Sequence, residues 1–258
     1  LSGENIHLRI CAVIPAYDEA ARIASVIEAT RAYLPTVFVV DDGSTDATRE
    51  KALASGALVL GHARNRGKGA ALRTGFREAL ARGYDAVVTL DGDGQHDPNE
   101  IPELLLRAGS SGAPIVVGAR IRRRSAMPLH RRANNAIVSA VGTWLCGQRV
   151  PDVQSGFRFL RRDVLSAVQT ETIGYEMEAE LLVRAGRMGF PIESAPVTAI
   201  YADERSHVEP WREIVRYTRL LFRCLSAPPP RSVRGQQTRS MPPGRADGAS
   251  PAGEDTAA

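Results

Sequence analysis

The run Arg9-Ile-Cys-Ala-Val-Ile14 is apolar at consecutive positions, closes at Pro15 and gives way at once to Ala16-Tyr17-Asp18-Glu19. A strand without polar alternation must be covered on both faces, as strands of parallel sheets are. The pattern recurs. Val37 to Val40 runs into Asp41-Asp42-Gly43-Ser44-Thr45-Asp46, Ala57 to Leu60 precedes Asn65-Arg66-Gly67-Lys68-Gly69, and Ala86 to Leu90 ends in Asp91-Gly92-Asp93-Gly94-Gln95. Between these runs the apolar spacing turns helical: Glu19 to Leu34 places Ile23, Val26 and Ile27 on one face and stops before Pro35, and a further helix runs to about Arg82. Ser44 or Thr45 can cap the helix after the second strand, and Ser44 and Asp46 are read first as cap residues. Strand, polar loop and helix in alternation predict an α/β fold. Its sheet is doubly wound and mostly parallel, with helices on both faces and a cleft at the strands' carboxyl ends.

The second half continues the pattern less regularly. Pro114 to Arg120 reads as a short strand running into the basic stretch Arg120 to Arg124, and Arg131 and Arg132 open a helix carrying Ile137, Val138, Val141 and Leu145. The segment Pro151 to Arg158 is rich in turn residues, Tyr175 to Met188 is a helix with Glu176, Glu178 and Glu180 near its start, and Ile192 to Tyr201 returns to the sheet. Trp211 to Leu225 spaces Arg212, Arg216, Arg219 and Arg223 along one helical face opposite an apolar one. Such a helix rests on an anionic bilayer or packs on the domain with its arginines in water, and both readings stay open. From Ala227 the chain is Pro, Gly, Ser, Arg and Ala, too poor in apolar residues to offset the entropy of ordering. The expectation is one domain over residues 1–226 and a disordered tail over 227–258.

Composition narrows the function classes. A hydrophobic fraction of 43% and a charged fraction of 24% are ordinary for a globular chain, and the three widely spaced cysteines, Cys11, Cys146 and Cys224, suit a reducing compartment better than a disulfide scaffold. No basic start followed by an apolar segment opens the chain and no apolar run reaches membrane-spanning length, so the sequence reads as cytoplasmic, with peripheral contact at the inner face of a membrane if the last helix provides it. A net charge of +4 favours an anionic partner without choosing between nucleotide, nucleic acid and lipid.

Asp91 and Asp93 stand where a strand gives way to a site. In extended geometry, period two puts both on one side with Cα atoms roughly 6–7 Å apart, close enough to share a cation. A hard ion with few protein ligands completes its shell with phosphate and water; the competing reading is an acidic Asp-Gly turn. Three familiar motifs fail here. A calcium loop beginning at Asp91 needs glycine and glutamate where the chain has His96 and Pro102, Gly67-Lys68-Gly69 lacks the Ser or Thr of a phosphate loop, and the same stretch lacks the third glycine of a dinucleotide fingerprint.

Val13-Ile-Pro-Ala-Tyr-Asp-Glu19, Val40-Asp-Asp-Gly-Ser-Thr-Asp46, Arg66-Gly-Lys-Gly69, Asp91-Gly-Asp-Gly-Gln95 and Gln154-Ser-Gly-Phe-Arg158, in that order, resemble family 2 glycosyltransferases of the GT-A fold. The match, over about Ile10 to Leu225, is most similar to the dolichyl- and polyprenyl-phosphate mannosyl- and glucosyltransferase branch. The resemblance implies that Pro15, Tyr17 and Glu19 contact base or ribose and that Asp42 accepts from the nucleobase, whose uracil or guanine ring presents N–H donors. It implies further that Lys68 neutralises diphosphate charge, and that Asp91, Asp93 and Gln95, with His207 from a late Arg205-Ser206-His207 motif, surround Mg²⁺ or Mn²⁺. A hydrogen-bonded, non-catalytic His207 is the competing reading.

By the same resemblance Arg120 and Arg132 hold the acceptor phosphate, with Arg158 nearby, since a guanidinium bonds phosphate with two donors at once. Glu178 lies where many family members keep a general base, although an acidic residue in a first helical turn also favours the helix dipole. The implied activity is metal-dependent, inverting transfer of a hexose from a nucleoside-diphosphate sugar, UDP-glucose or GDP-mannose, to polyprenyl phosphate. Nucleic acid is not among the implied partners. A soluble or polysaccharide acceptor, or a non-catalytic nucleotide-sugar binding module, remain the alternatives; a nucleotidyltransferase lacks its glycine-rich N-terminal signature here.

Overall fold

A computed structural model of the chain describes residues 8–122 and 129–198, the side chains of 121, 122, 129–135 and 137 excepted. The three expected N-terminal strands are β1 (Ile10–Ala16), β2 (Val37–Asp41) and β3 (Leu58–Gly61), followed by β4 (Ala86–Thr89). They pair in parallel, β1 between β2 and β4, with β3 outside β2. Unalternated apolar runs yield two cores. Cys11, Val13, Phe38 and Val87 face one side of the sheet, and Ala12, Ile14, Val39 and Val88 face the other. Helix α3 (Lys68–Ala81) and helix α7 (Glu176–Arg187) cover the first side; α1 (Ile23–Arg31) and α4 (Ile101–Ser111) cover the second.

The sheet has seven strands in the order β3-β2-β1-β4-β6-β5-β7, where β5 is Ile115–Arg122, β6 Arg158–Arg161 and β7 Ile192–Thr198. Strand β6 is antiparallel to both neighbours, and every other pairing is parallel. The remaining helices are α2 (Thr48–Ala54), α5 (Leu129–Cys146) and α6 (Arg162–Ala167). Among the described residues no helix is long and apolar enough to cross a membrane.

Four local expectations change. Helix α1 starts at Ile23, not Glu19, because the Glu19 N–H donates to Thr48 Oγ1 at 2.7 Å and the Ala20 N–H to Asp46 Oδ2 at 3.1 Å, drawing residues 19–22 into a turn against α2. Ser44 does not cap α2; its Oγ accepts from the Asp18 N–H at 3.0 Å, while Asp46 Oδ1 receives the Thr48 N–H at 2.9 Å. After β4 the chain does not stay extended through the acidic pair: it turns at Gly92 and Asp93, with Gly94 at φ 73°. The turn-rich segment gives way already at Arg158 to strand β6, and helix α6 follows it directly. The last helix, the tail and the Arg205-Ser206-His207 motif lie outside the described residues.

Candidate active site

A cleft of about 1320 Å³ opens at the carboxyl ends of β1, β2 and β4. One wall is the Arg64–Lys68 loop leading into α3, and the facing wall is residues 172–176. These walls are built against each other. The Gly69 N–H, in the first turn of α3 where no intrahelical carbonyl can take it, donates to the Ile173 carbonyl at 2.8 Å. Gly67 has φ 96°, and a Cβ there would lie 2.4 Å from the Ile173 oxygen, so glycine is required twice over.

At the centre, Lys68 joins two carboxylates that are far apart in sequence. Its Nζ lies 2.6 Å from Asp91 Oδ1 and 3.1 Å from Glu178 Oε2, and 5.3 Å from the centre of the Tyr175 ring. Burial opposes charge on Lys68, but Asp91 and Glu178 outweigh it and hold the ammonium above its ordinary range. Burial likewise opposes charge on Asp91, and Lys68 holds that carboxyl below its ordinary range. Gly156 admits this convergence. A Cβ on it would stand 2.8 Å from Glu178 Oε1 and 2.9 Å from both Asp91 oxygens.

Among the described residues no cation is bonded to Asp93 in this way. Its Oδ1 accepts the Gln95 N–H at 2.9 Å, and burial, then the charge of Asp91, raise its carboxyl above the ordinary range. Glu19 shares that surplus: burial first and Asp93 second push it up to about 7. A group raised on folding adds stability below its unfolded value, here 4.5, that is lost as pH rises through about 7. Melting temperature should therefore fall between pH 4.5 and pH 7, and Glu19→Gln should flatten that fall when wild type and variant are melted across the range.

The surroundings hold these groups in place. His96, buried and stacked 5.5 Å from Phe157, accepts the Asp91 N–H on Nδ1 at 3.2 Å, and burial pushes it down to about 4. Arg158 is 2% exposed and donates to the carbonyls of Val153, Ser155 and Glu178 at 2.6–2.8 Å. It therefore braces the 153–158 turn against α7 and does not line the cleft. Arg120 is likewise tied within the protein. Its Nε and Nη2 grip the buried Asp152 at 2.6 and 2.9 Å, so two arms of the guanidinium are committed within the protein, and it does not line the cleft.

At the far end Asp42 lines the cleft with much of its carboxylate already engaged. Oδ1 accepts from the Arg66 N–H at 3.0 Å and from the His62 ring at 2.5 Å, and Oδ2 from the Gly67 N–H at 2.7 Å, which leaves one lone pair of Oδ2 for a ligand. Pro15, Tyr17, Glu19, Lys68, Asp91 and Asp93 line the same cleft. Gln95 does not; the backbone N–H it gives to Asp93 is its part in the site. Glu178 lies just beneath, buried, while Glu176 reaches the lining. Arg132 sits in the first turn of α5 with its side chain outside the described atoms, and His207 lies outside the described residues. His62, His96, Asp152 and Tyr175 were not singled out from the sequence, since a lone histidine or tyrosine carries no spacing signal.

Among the described residues, no three His, Cys, Asp or Glu side chains converge as a protein-only metal centre. The donor set nevertheless fits a hard divalent ion that takes two carboxylates and fills its shell from a ligand: Asp93 and Glu19 are held above the ordinary carboxyl range beside Asp91, a strain that a cation would relieve.

Residues 11–168 match the profile of Glycosyl transferase family 2. The chain is 31% identical over 206 residues to an undecaprenyl-phosphate mannosyltransferase of Micrococcus luteus, covering 75% of this chain and 84% of that protein. It is also 31% identical over 204 residues to a polyprenol monophosphomannose synthase of Mycolicibacterium smegmatis, covering 74% and 77%. Glucosyl-3-phosphoglycerate synthase from Mycobacterium tuberculosis, in complex with Mn²⁺ and UDP-glucose, superposes with a TM-score of 0.63 at 26% identity, over 85% of this chain and 78% of that one. With the ordered motifs, the mixed sheet and the cleft at its carboxyl edge, these matches place the chain in glycosyl transferase family 2, as a hexosyltransferase with the GT-A fold.

Proposed function

We propose that the protein transfers a hexose from a nucleoside-diphosphate sugar to a polyprenyl phosphate, with inversion and with Mg²⁺ or Mn²⁺ at the Asp91–Asp93 turn. Pro15, Tyr17 and Asp42 take the nucleoside, and the donor's diphosphate lies on the cleft side of the joined acidic turn and Lys68. When bound, the cation stabilises the negative charge that develops on the departing nucleoside diphosphate. Two of the three Lys68 N–H donors serve Asp91 and Glu178, and the third is available to the same leaving group. Direct displacement at the sugar's anomeric carbon from the opposite face inverts it. Arg132, at the start of α5, is the acceptor-phosphate candidate, and His207 the late metal or phosphate contact. Arg120 acts through Asp152 to fix the end of β5.

The observation that carries the choice of acceptor is the Lys68–Glu178 ion pair, at 3.1 Å. An alcohol nucleophile needs a base to remove its proton, and the Glu178 carboxylate is already bonded to Lys68. A phosphate monoester is already anionic at neutral pH and needs positioning alone. The names of the two relatives agree with such an acceptor. A lipid phosphate also requires peripheral contact with a membrane.

A second reading, a soluble phosphorylated acceptor, is favoured by the structural likeness to glucosyl-3-phosphoglycerate synthase. Both are tested by supplying UDP-[¹⁴C]glucose or GDP-[¹⁴C]mannose with Mn²⁺ or Mg²⁺, adding polyprenyl phosphate or 3-phosphoglycerate, and partitioning the products. Label in the organic phase is expected. Label only in a water-soluble product, with nucleoside diphosphate released, would replace the lipid acceptor by the soluble one.

A further inference from the structure

The base end of the cleft holds a buried arrangement that the reaction as described does not use. His62 follows the last residue of β3, and its N–H donates to the Asp41 carbonyl at 2.9 Å, tying the ends of β2 and β3 together. Its side chain is 6% exposed beside that of Asp42 at 4%, and it does not line the cleft. Nδ1 lies 2.5 Å from Asp42 Oδ1, and Nε2 lies 3.0 Å from Thr74 Oγ1, in the second turn of α3. A carboxylate can only accept, so the ring hydrogen on Nδ1 goes to Asp42 and the ring plane is fixed by the Thr74 hydroxyl at its other end.

We infer that His62 is a positioning residue for nucleotide recognition. It fixes Asp42 Oδ1 from behind, so that the one uncommitted lone pair of Oδ2 is held toward the N–H edge of the donor's base. The inference rests on the reading above that Asp42 receives that N–H. Asp42 has three ordered donors, and two of them, the Arg66 and Gly67 N–H groups, belong to the cleft-lining loop that a nucleotide would press against. His62 is the donor set in the protein interior, and through Thr74 it also ties the base end to the helix whose first residue is Lys68. Base recognition and the placement of the central ammonium thus share one brace. The competing account is a histidine that only packs β3 on α3. It predicts loss of fold stability without selective loss of nucleotide affinity.

The two amide substitutions separate these accounts. In His62→Asn the side-chain amide occupies the place of Nδ1 and keeps a donor on Asp42; in His62→Gln it occupies the place of Nε2, keeping the Thr74 contact and abandoning Asp42. Calorimetric titration with UDP and with GDP, each with Mg²⁺, should show His62→Gln weakening the preferred nucleotide about tenfold, as expected for a lost bond to a charged group. His62→Asn should stay within about twofold, and so should Thr74→Val, which leaves the Asp42 bond intact. In transfer assays the Gln variant should raise KM for the donor and keep kcat. Equal weakening by Asn and Gln, no weakening by either, or a tenfold loss in Thr74→Val with the Gln variant unaffected would overturn the inference. If the wild-type protein binds neither nucleotide, the donor reading fails and the inference falls with it.

Discussion

Asp93→Asn is expected to cut sugar transfer by about a thousandfold, the scale of losing one transition-state electrostatic contact, while the melting temperature stays level or rises. The two effects have one cause. Burial and the neighbouring Asp91 raise the Asp93 carboxyl, so its stabilising contribution is present in acid and is lost as pH rises through the shifted value. At neutral pH its charge works against the folded state, and the amide removes that charge while keeping the shape. A residue whose charge burdens the free protein is retained for a partner of opposite charge. Transfer rate and thermal melting on one preparation decide the matter, together with the rise in melting temperature on adding Mn²⁺, which should occur in the wild type and vanish in the variant. Full activity in Asp93→Asn, or a melting temperature several degrees lower, would remove Asp93 from the donor site.

Lys68→Met should act in the opposite sense on stability, lowering it by roughly 3–5 kcal/mol at neutral pH, because it leaves two carboxylates without their shared cation. The Lys68 side chain is 13% exposed and that of Glu178 6%, so water screens the pair little. The pH dependence carries the signature. Asp91 is held below its ordinary range by Lys68, so in the wild type its contribution is present above that range and is lost as pH falls. The variant lacks this contribution, and its deficit against wild type should narrow toward acid. Urea midpoints at pH 7 and pH 5 measure it. A variant within about 1 kcal/mol of wild type at neutral pH would mean that the Lys68 cluster does no more than an exposed ion pair. On the proposed function transfer should be lost as well, since that reading sets the same ammonium against the donor's diphosphate.

The sequence made the N-terminal half legible because its strands are covered on both faces: Cys11 to Ile14 and Val37 to Val40 have no polar position inside them, and Ala86 to Leu90 has only Thr89, whose buried hydroxyl donates to the Gly156 carbonyl at 2.7 Å. Strand β6 was hidden for the opposite reason. Arg158-Phe-Leu-Arg161 is short and begins and ends on arginine, and Arg158 is interior because three backbone carbonyls satisfy its guanidinium, a solution that involves residues on two separate segments. The acidic turn and the glycine-rich loop could be read as sites individually. That Lys68 would spend its charge on Asp91 and on Glu178, 110 residues away, could not, because pairing across the sheet leaves no local pattern. The Arg120 bond is silent for a related reason: its partner Asp152 lies 32 positions along the chain, and nothing in the spacing announces it.

The late insertion of β6 bears on how the protein must be made. Strand β4 takes β1 on one side, yet its other edge is filled only by residues 158–161, and β5 reaches the rest of the sheet only through that same strand. A nascent chain released through β5 therefore exposes an apolar, unpaired β4 edge in the middle of its future sheet, an invitation to intermolecular pairing. Closing it requires the slow capture of a distant segment. The step that seats β6 also brings Gly156 between Asp91 and Glu178, so assembly and activity share one event: a fragment ending before residue 158 has the donor-binding loops but no closed sheet, and a ribosome-bound chain gains its central charge cluster only after the second half has emerged.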